Sequence, residues 1–184
     1  MFRDHLFRTV EGLTSEQVAR MESHFELLRR WNRKLNLTRV DSEQEAAERH
    51  YGESVVLARR LPLGRLRIVD IGSGGGFPGI PVAIVRSECT VILAESHQRK
   101  AVFLREATRD LANVRVLSGR AEDLAETFDW AISRAVAWAD LSGFVFRLAP
   151  KVALLSGDLD LPFAAREPLP WGNHRFLTIV SRET

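Results

Sequence analysis

The densest concentration of residues that could bind a ligand is one glycine-rich stretch, Ile68-Val-Asp-Ile-Gly-Ser-Gly-Gly-Gly-Phe-Pro-Gly-Ile80. An apolar, strand-like run precedes the glycines, and Pro78 stands where a helix could begin, because its missing N–H needs no partner in a first helical turn. Glycines accept positive φ and leave bare peptide open to a ligand. The N–H groups of the following helix would favour a bound polar group. The stretch therefore predicts a ligand-binding strand–loop–helix unit rather than a plain tight turn.

The acidic residue Glu95 indicates which kind of ligand this loop would hold. It ends a predicted strand downstream of Asp70, and an acid at such a place can accept hydrogen bonds from both ribose hydroxyls of a nucleoside. The spacing Gly74-x-Gly76-x-x-Gly79 satisfies the dinucleotide pattern, so an NAD-linked oxidoreductase is one alternative. The acid-led spacing Asp70-x-Gly72-x-Gly74-x-Gly76 fits methyltransferase loops better, and Pro78 would be awkward in a tight pyrophosphate turn. We therefore favour S-adenosylmethionine.

The elements that would position these residues alternate between strands and helices from Leu66 onward. Short apolar runs separated by helical patterns are typical of a parallel sheet with crossover helices. Strands are predicted at Leu66–Ile71, Thr90–Glu95, Val114–Ser118, Trp130–Ser133 and Val152–Leu155. Helices are predicted near Gly79–Val85, Gln98–Asp110, Ala121–Glu126 and Ala139–Leu148. Ligands of such sheets bind at the carboxyl ends of the strands, where this pattern places the glycine loop.

The N-terminal third of the chain is predicted to be helical. Residues 1–62 would form an extension packed on a core at residues 63–184, the whole making one compact unit. Capping-box spacings at Thr14–Gln17 and Ser42–Glu45 open its two predicted helices. The first of these helices is expected to end near Asn36–Thr38.

The C-terminal end of the chain is predicted to form a β-hairpin. The runs Arg166–Trp171 and His174–Ser181 flank Gly172-Asn173, which is typical of a two-residue turn. The segment between the fifth strand and this hairpin is short, so no helix is expected there.

The composition predicts one cytoplasmic globular domain. The chain has 184 residues, 45% of them hydrophobic, with no signal-peptide pattern and no apolar run long enough to span a membrane. Its single cysteine, Cys89, fits a reducing compartment, and no metal-ligand spacing is present. The formal charge is only +2, but basic residues cluster at 29–39, 59–67 and 99–109. These clusters could contact nucleic-acid phosphates or could simply be solvated helix faces.

Several stretches together resemble the glucose-inhibited division protein B family, the bacterial methyltransferases that modify guanine N7 in small-subunit (16S) ribosomal RNA. The Gly-Phe-Pro-Gly-Ile-Pro form of the glycine loop is the most specific of them. The matching stretches run in family order and comprise Trp31-Asn32, Asn36-Leu-Thr-Arg39, Arg49-His50, Asp70–Pro81, Glu95-Ser96 with Lys100, and Ser133-Arg-Ala135.

The resemblance implies a fold, a cofactor and a set of binding residues. The fold would be a class I, Rossmann-like α/β methyltransferase: a mainly parallel seven-stranded sheet with helices on both faces and an antiparallel last strand. The cofactor would be S-adenosylmethionine, with Arg134 near its methionine end and Ala121-Glu122 beside its adenine. The implied cofactor-binding residues are Gly72, Gly74, Phe77, Glu95, Ser96, His97, Ala121, Glu122 and Arg134.

The chain departs from the family pattern at three places. Gly52-Glu53-Ser54 stands after His50 and Tyr51, where the family usually has His-x-x-Asp-Ser, and Ser156-Gly157 replaces a common lysine-glycine pair. The third departure is the short segment before the hairpin. These differences leave open a second alternative, a non-catalytic module that retains the cofactor pocket and only binds RNA.

The implied reaction makes few demands on catalytic side chains. Guanine N7 carries a lone pair and no proton, so no general base is required and none is assigned; positioning would supply most of the catalysis. The expected partner is small-subunit ribosomal RNA or the 30S particle, bound by a monomer away from any membrane. RNA contacts are predicted at a basic surface around the pocket mouth, comprising Arg33, Lys34, Asn36, Arg39 and Lys100.

Overall fold

The protein is built around one seven-stranded sheet. A computed structural model describes residues 1–39, 42–134 and 136–182. Its strands are β1 (Arg67–Ile71), β2 (Thr90–Glu95), β3 (Val114–Ser118), β4 (Trp130–Arg134), β5 (Lys151–Ser156), β6 (Ala165–Pro168) and β7 (Phe176–Ser181). They lie in the order β3-β2-β1-β4-β5-β7-β6. The first five strands are parallel, and β7 is antiparallel to both β5 and β6. The predicted α/β fold, mainly parallel with an antiparallel last strand, is confirmed.

Helices cover both faces of this sheet, which explains why its central strands are almost wholly buried. Helices α5 (Gly79–Val85) and α6 (Gln98–Ala107) pack on one face, and α7 (Trp138–Ser142) and α8 (Val145–Leu148) pack on the other. Successive residues of β1 alternate between the two cores, as the pleat of a strand requires.

A layer of helices from the N-terminal third packs on the same face as α5 and α6. It comprises α1 (Phe2–Thr9), α2 (Ser15–Asn32), α3 (Glu43–Glu45), a π-helical turn (Ala46–Gly52) and α4 (Glu53–Arg60). Both predicted capping spacings are present: Thr14 Oγ1 accepts the Gln17 N–H at 3.1 Å, and Ser42 Oγ accepts the Glu45 N–H at 3.0 Å. The buried side chains of this layer belong to the same core as those of α5 and α6. A domain boundary near residue 62 stays a prediction.

Helix α2 ends earlier than expected, at Asn32 rather than near residues 36–38. The Asn32 carboxamide explains this, because it binds the backbone of the residues that would have continued the helix. Its Oδ1 accepts the N–H groups of Leu37 and Thr38 at 2.8 and 3.1 Å, and its Nδ2 donates to the Thr38 carbonyl at 2.8 Å. Such side-chain bonds offer the backbone an alternative to the helix. Residues 33–38 therefore form a loop anchored by the buried Leu37.

Two helices predicted in the second half of the chain are shorter or divided. Only a 3₁₀ turn, Ala121–Asp123, forms where a helix to Glu126 was expected. The Arg147 guanidinium donates to the carbonyl groups of Glu122 and, at 2.6 Å, of Leu124, so these oxygens serve a distant side chain instead of a helix. The predicted helix at 139–148 is divided into α7 and α8 at Gly143, whose flexibility disfavours a helix interior.

The C-terminal hairpin forms, but the predicted two-residue turn is wrong. Strands β6 and β7 pair up to Pro168 and Phe176, so the connection spans residues 169–175. Leu169 N–H donates to the Arg175 carbonyl at 2.9 Å and closes this longer loop. The loop contacts the helical layer, because the Trp171 ring lies against Gly52. Packing against that layer outweighs the local preference of Gly172-Asn173 for a tight turn.

Two kinds of helix are absent from the described residues. Residues 157–164 hold no helix, as expected from their number. Among the helices of the described ranges, none combines the length and the apolar character that a membrane-spanning segment needs.

Candidate functional site

The candidate site is a cleft at the carboxyl ends of β1, β2 and β4. Strand order reverses between β1 and β4, and ligands of open α/β sheets bind at such a switch point. Two cavities of about 590 and 580 Å³ lie there and share Gly72 and Val136 as wall residues. The first opens toward the helical layer, and the second opens toward the 3₁₀ turn and α7. Together they form one elongated cleft on both sides of the glycine loop.

The glycine loop presents bare backbone to this cleft. Gly72 has φ +73°, and a Cβ there would lie 2.7 Å from Val136 Cγ2. The N–H groups of Gly72 and Ser73 both donate to the Ala94 carbonyl at the end of β2, at 2.9 and 3.2 Å. A side chain at position 72 would therefore be strained and would fill the passage between the two cavities. The loop has the form of a cradle for a ligand.

Glu95 lies beneath the loop and is held by two backbone groups. Its Oε2 accepts the Gly74 N–H at 2.8 Å, and its Oε1 accepts the His97 N–H at 2.8 Å. Glu95 is 7% exposed and lines the larger cavity. Each carboxylate oxygen can accept more than one hydrogen bond, so Glu95 retains capacity for the hydroxyls of a ligand. The two backbone bonds fix its orientation in advance.

Asp70 has a structural role at the base of the same loop. Its buried Oδ2 accepts the Gly79 N–H at 3.0 Å, while its Oδ1 has no protein partner among the described residues. A Cβ at Gly79 would lie 2.5 Å from Asp70 Oδ2, so only glycine allows this close approach. The expectation that α5 offers unpaired N–H groups to a ligand is wrong at its first two residues, because the Gly79 N–H donates to Asp70 and the Ile80 N–H donates to the Gly76 carbonyl. Burial raises the pKa of Asp70 to about 7, and the nearby Glu95 carboxylate adds to the rise.

The raised pKa predicts how stability depends on pH. In the unfolded chain Asp70 loses its proton near pH 4, whereas in the folded protein it keeps the proton until about pH 7. The free energy of unfolding should therefore fall between pH 4 and pH 7, by about 1.4 kcal/mol per unit of pKa difference, and level off above it. Asp70→Asn keeps an acceptor for Gly79 and should remove this fall in urea denaturation series. Asp129→Asn, at an exposed carboxylate that also accepts a backbone N–H, should keep it. Equal pH dependence in the wild type and Asp70→Asn would contradict the assignment.

One wall of the larger cavity consists of Phe77, His50 and Arg134. The His50 ring is stacked on Phe77 with 5.0 Å between centroids, and the Arg134 guanidinium donates to His50 Nδ1. The Nε2 atom lies 3.0 Å from Thr38 Oγ1 and 3.2 Å from the Arg39 carbonyl. Burial, with the charge of Arg134, lowers the pKa of His50 to about 3. His50 is thus a neutral group whose hydrogen bonds link β4 to the loop after α2. Its burial and its low pKa indicate a packed residue rather than a catalytic acid.

A buried carboxylate, Glu53, lies behind this wall. Arg175 donates to its two oxygens at 3.0 and 2.6 Å, and an Arg134 nitrogen lies 3.9 Å away. Glu53 is 0% exposed, so these guanidiniums replace its water shell. Burial lowers the pKa of Arg134 to about 10, which leaves it charged at neutral pH. Glu53 takes the place of the family's usual aspartate, and the departure therefore keeps a carboxylate in this position.

Each predicted cofactor residue except His97 lines one or both of the two cavities. His97 contributes its backbone N–H to Glu95, while its side chain is exposed. Ser96, Ala121 and Glu122 line the cavity beside the 3₁₀ turn. The larger cavity is lined by Gly72, Gly74, Phe77, Glu95 and Arg134. Ala135, which ends the Ser133-Arg-Ala stretch, lies outside the described residues.

The predicted RNA-binding residues are only partly gathered at the cleft. Arg39 and Lys100 line the larger cavity together with Arg49, which the sequence analysis had not selected for this role. Arg33, Lys34 and Asn36 are exposed on the loop after α2, and Arg33 borders a separate cavity of about 450 Å³. Sequence reasoning also missed His24, Glu53 and Arg175 as partners of the site. Within the described residues, no group of three or more potential ligands is arranged to hold a metal ion.

The chain matches one protein family over most of its length. The sequence profile of GidB, described as rRNA small subunit methyltransferase G, matches residues 17–145. A protein of Geobacter metallireducens named ribosomal RNA small subunit methyltransferase G is 38% identical, over 75% of this chain and 64% of its own length. A protein of the same name from Solibacter usitatus is 44% identical, over 68% of this chain and 60% of its own length. The chain thus spans less than two thirds of these relatives.

Solved structures agree with the fold at much lower identity. A methyltransferase from Pyrococcus furiosus has a TM-score of 0.59 at 16% identity, covering 88% of this chain and 96% of that one. A SAM-dependent O-methyltransferase from Thermotoga maritima has a TM-score of 0.57 at 14% identity, covering 84% and 71%. These likenesses establish the Rossmann-like methyltransferase fold.

Proposed function

The chain belongs to the GidB family, the rRNA small subunit methyltransferase G proteins, and from this membership we propose that it transfers a methyl group from S-adenosylmethionine to N7 of a guanine in 16S ribosomal RNA. The observation that carries the proposal is the cleft in which Glu95 lies beneath a side-chain-free glycine loop. The NAD-linked alternative is not favoured by this membership.

The side chains and backbone groups of the cleft match the chemical groups of S-adenosylmethionine. The Glu95 carboxylate would accept hydrogen bonds from the ribose hydroxyls, and the Gly72 backbone would lie against the centre of the ligand. Arg134, whose guanidinium faces the larger cavity, would attract the carboxylate of the methionine part. Ser96, Ala121 and Glu122 would surround the adenine in the neighbouring cavity. When bound, the cofactor supplies a methyl group on a positively charged sulfur.

The remaining requirement is to hold the guanine correctly. Its N7 has a lone pair and no proton, so the chain has to exclude water and align this atom with the methyl group rather than remove a proton. The wall of Phe77, His50 and Arg134 borders the larger cavity, on the side where the target base would enter. His50 remains neutral there, so it adds no positive charge beside a guanine that becomes cationic on methylation.

The cofactor assignment can be tested by thermal unfolding. A ligand that binds only the folded state raises the melting temperature by mass action. S-adenosylmethionine or S-adenosylhomocysteine at about 100 times Kd should stabilise the protein by about 2.7 kcal/mol. NAD at the same concentration serves as the control and should leave the melting temperature unchanged. A shift with NAD alone would overturn the cofactor assignment.

A basic surface around the cleft would bind the RNA backbone. Arg33, Lys34 and Arg39 follow α2 and are exposed, while Lys100 and Arg49 line the larger cavity. Lysine and arginine on phosphates release counterions, so binding through them weakens as the salt concentration rises.

Replacing Arg33, Lys34 and Arg39 together by glutamine should weaken RNA binding and reduce the salt slope. Each lost phosphate contact lowers the slope by about 1. The matched control replaces three other exposed cations by glutamine: Arg65, Lys151 and Arg182. They lie at the end of the sheet opposite to the cleft, before β1, at the start of β5 and after β7. Filter binding over a range of salt concentrations measures both sets. Unchanged affinity and slope in the first triple variant would remove this surface from the proposal.

The activity itself can be tested by RNA-dependent transfer of label. Methyl-labelled S-adenosylmethionine is incubated with 16S RNA, or with 30S particles, that lack the modification. Incorporation into RNA supports the proposal, whereas cofactor binding without transfer would favour a non-catalytic RNA-binding module.

We further propose that the protein is a cytoplasmic monomer that acts away from membranes, with residues 1–62 as an extension on the core.

A further inference from the structure

We propose that His24 and Tyr51, two residues of the helical layer, are positioning residues that hold the glycine loop in its ligand-binding form. His24 Nε2 lies 3.0 Å from the Gly75 carbonyl oxygen, and the Tyr51 hydroxyl lies 2.7 Å from His24 Nδ1. These contacts join α2, the π-helical turn and the loop in one hydrogen-bonded chain. The effect on ligand affinity rests on the proposed function, whereas the effect on the loop does not.

The direction of these hydrogen bonds follows from what each atom can do. A carbonyl oxygen only accepts, so His24 Nε2 must carry the hydrogen and donate to Gly75. In the neutral ring Nδ1 is then an acceptor, and the Tyr51 hydroxyl donates to it. Burial lowers the pKa of His24 to about 4, so the ring is neutral at physiological pH. One tautomer alone satisfies both neighbours.

Burial makes these hydrogen bonds important for stability, because unpaired polar atoms inside a core are costly. His24 is 3% exposed and Tyr51 is 0% exposed. Both rings also pack against Phe77, with centroids 5.3 Å and 5.0 Å away. A Cβ at Gly76 would lie only 3.1 Å from His24 Nε2, so the loop approaches the ring closely.

The His24 contact and the Glu95 contact hold two neighbouring residues of the loop. Gly74 donates its N–H to Glu95, and the next residue, Gly75, directs its carbonyl to His24. The peptide group that precedes Gly74 and the one that follows Gly75 are therefore held by different elements, the first by β2 and the second by α2. Without His24 the Gly75 peptide could rotate, and the Gly74 N–H would lose its fixed direction toward Glu95. Pre-organisation of this kind lowers the cost of binding.

Three variants separate this role from simple packing. Tyr51→Phe removes only the hydroxyl, His24→Phe removes both ring nitrogens, and His24→Gln restores a donor for Gly75. A lost hydrogen bond of about 1 kcal/mol corresponds to about a fivefold change in affinity. We therefore expect Tyr51→Phe to weaken S-adenosylhomocysteine binding about fivefold and His24→Phe about tenfold or more. His24→Gln should recover part of that loss.

The packing control is Val18→Ala, which alters a fully buried apolar residue of the same helix, six positions before His24. It should lower the melting temperature but leave the affinity unchanged. Amide hydrogen exchange at Gly74–Gly76 is measured in parallel and should accelerate in His24→Phe but not in Val18→Ala. ¹⁵N shifts of the His24 ring should show a hydrogen on Nε2 in the wild type.

The possible results distinguish this proposal from the proposed function. If the wild type binds no S-adenosylhomocysteine, the cofactor assignment fails, while exchange and ring shifts still decide the role of His24. If the amide hydrogens of Gly74–Gly76 exchange at the same rate in His24→Phe and Val18→Ala, the positioning role is overturned. A hydrogen on Nδ1 in the wild type would also overturn it.

Discussion

Replacing Glu53 by glutamine is expected to lower the free energy of unfolding by about 3–5 kcal/mol, because it leaves two partly buried guanidiniums without their carboxylate partner. Glu53 is 0% exposed and binds Arg175 through both oxygens, with Arg134 close by. A neutral carboxamide cannot compensate the positive charge of the two guanidiniums. Its NH₂ group would also face an N–H donor of Arg175, where Glu53 now has an accepting oxygen. Urea denaturation followed by circular dichroism measures the change.

The matched control for Glu53 is Glu167→Gln. Glu167 forms the same kind of paired contact with Arg60, but both side chains are at least 40% exposed. Exposed ion pairs contribute about 0–1 kcal/mol, so this variant should remain near the wild type. A loss at Glu53 as small as that at Glu167 would contradict the account of the buried network.

Replacing Glu95 by glutamine is expected to weaken S-adenosylhomocysteine binding about 100-fold. Hydrogen bonds to a charged group contribute about 1.5–3 kcal/mol each, and about 3 kcal/mol corresponds to roughly two orders of magnitude in Kd. The glutamine can accept only one of the two backbone N–H groups that now bind Glu95, so the loop would also lose a contact. Titration calorimetry measures the affinity.

The control for Glu95 is Glu88→Gln, at the opposite end of β2. Glu88 lies beside Arg86, away from the cleft, so its replacement should leave the affinity unchanged. The melting temperature of each variant without ligand separates a loss of binding from a loss of folding. An unchanged Kd in Glu95→Gln would remove this residue from the ligand site.

Much of the fold could be predicted because its signals are local. The strand at Thr90–Glu95 and the helix at Gly79–Val85 have the predicted bounds, since an apolar run or a glycine-rich start fixes each. The capping residues Thr14 and Ser42 act within four residues of their partners. The position of the cleft could be predicted in the same way, because the carboxyl ends of neighbouring parallel strands lie at the same end of the sheet.

The missed features depend on contacts between distant parts of the chain. Arg175 and Glu53 are 122 residues apart, and neither position has a local pattern that indicates a buried ion pair. The seven-residue connection that ends at Arg175 follows from its packing on the helical layer, not from Gly172-Asn173. His24 lies three residues after Met21 and directly before Phe25, which are buried apolar residues, so its neighbours gave no indication that its ring would bind the glycine loop.

The most direct test of the proposed function is to map the methyl group after one reaction. Methyl-labelled S-adenosylmethionine is incubated with the protein and with 30S particles or 16S RNA that lack the modification, and the labelled nucleotide is identified. We expect label at N7 of one guanine, strongly reduced with the Glu95→Gln variant. Label at another atom, or no transfer by a protein that binds both S-adenosylmethionine and RNA, would contradict the proposed function.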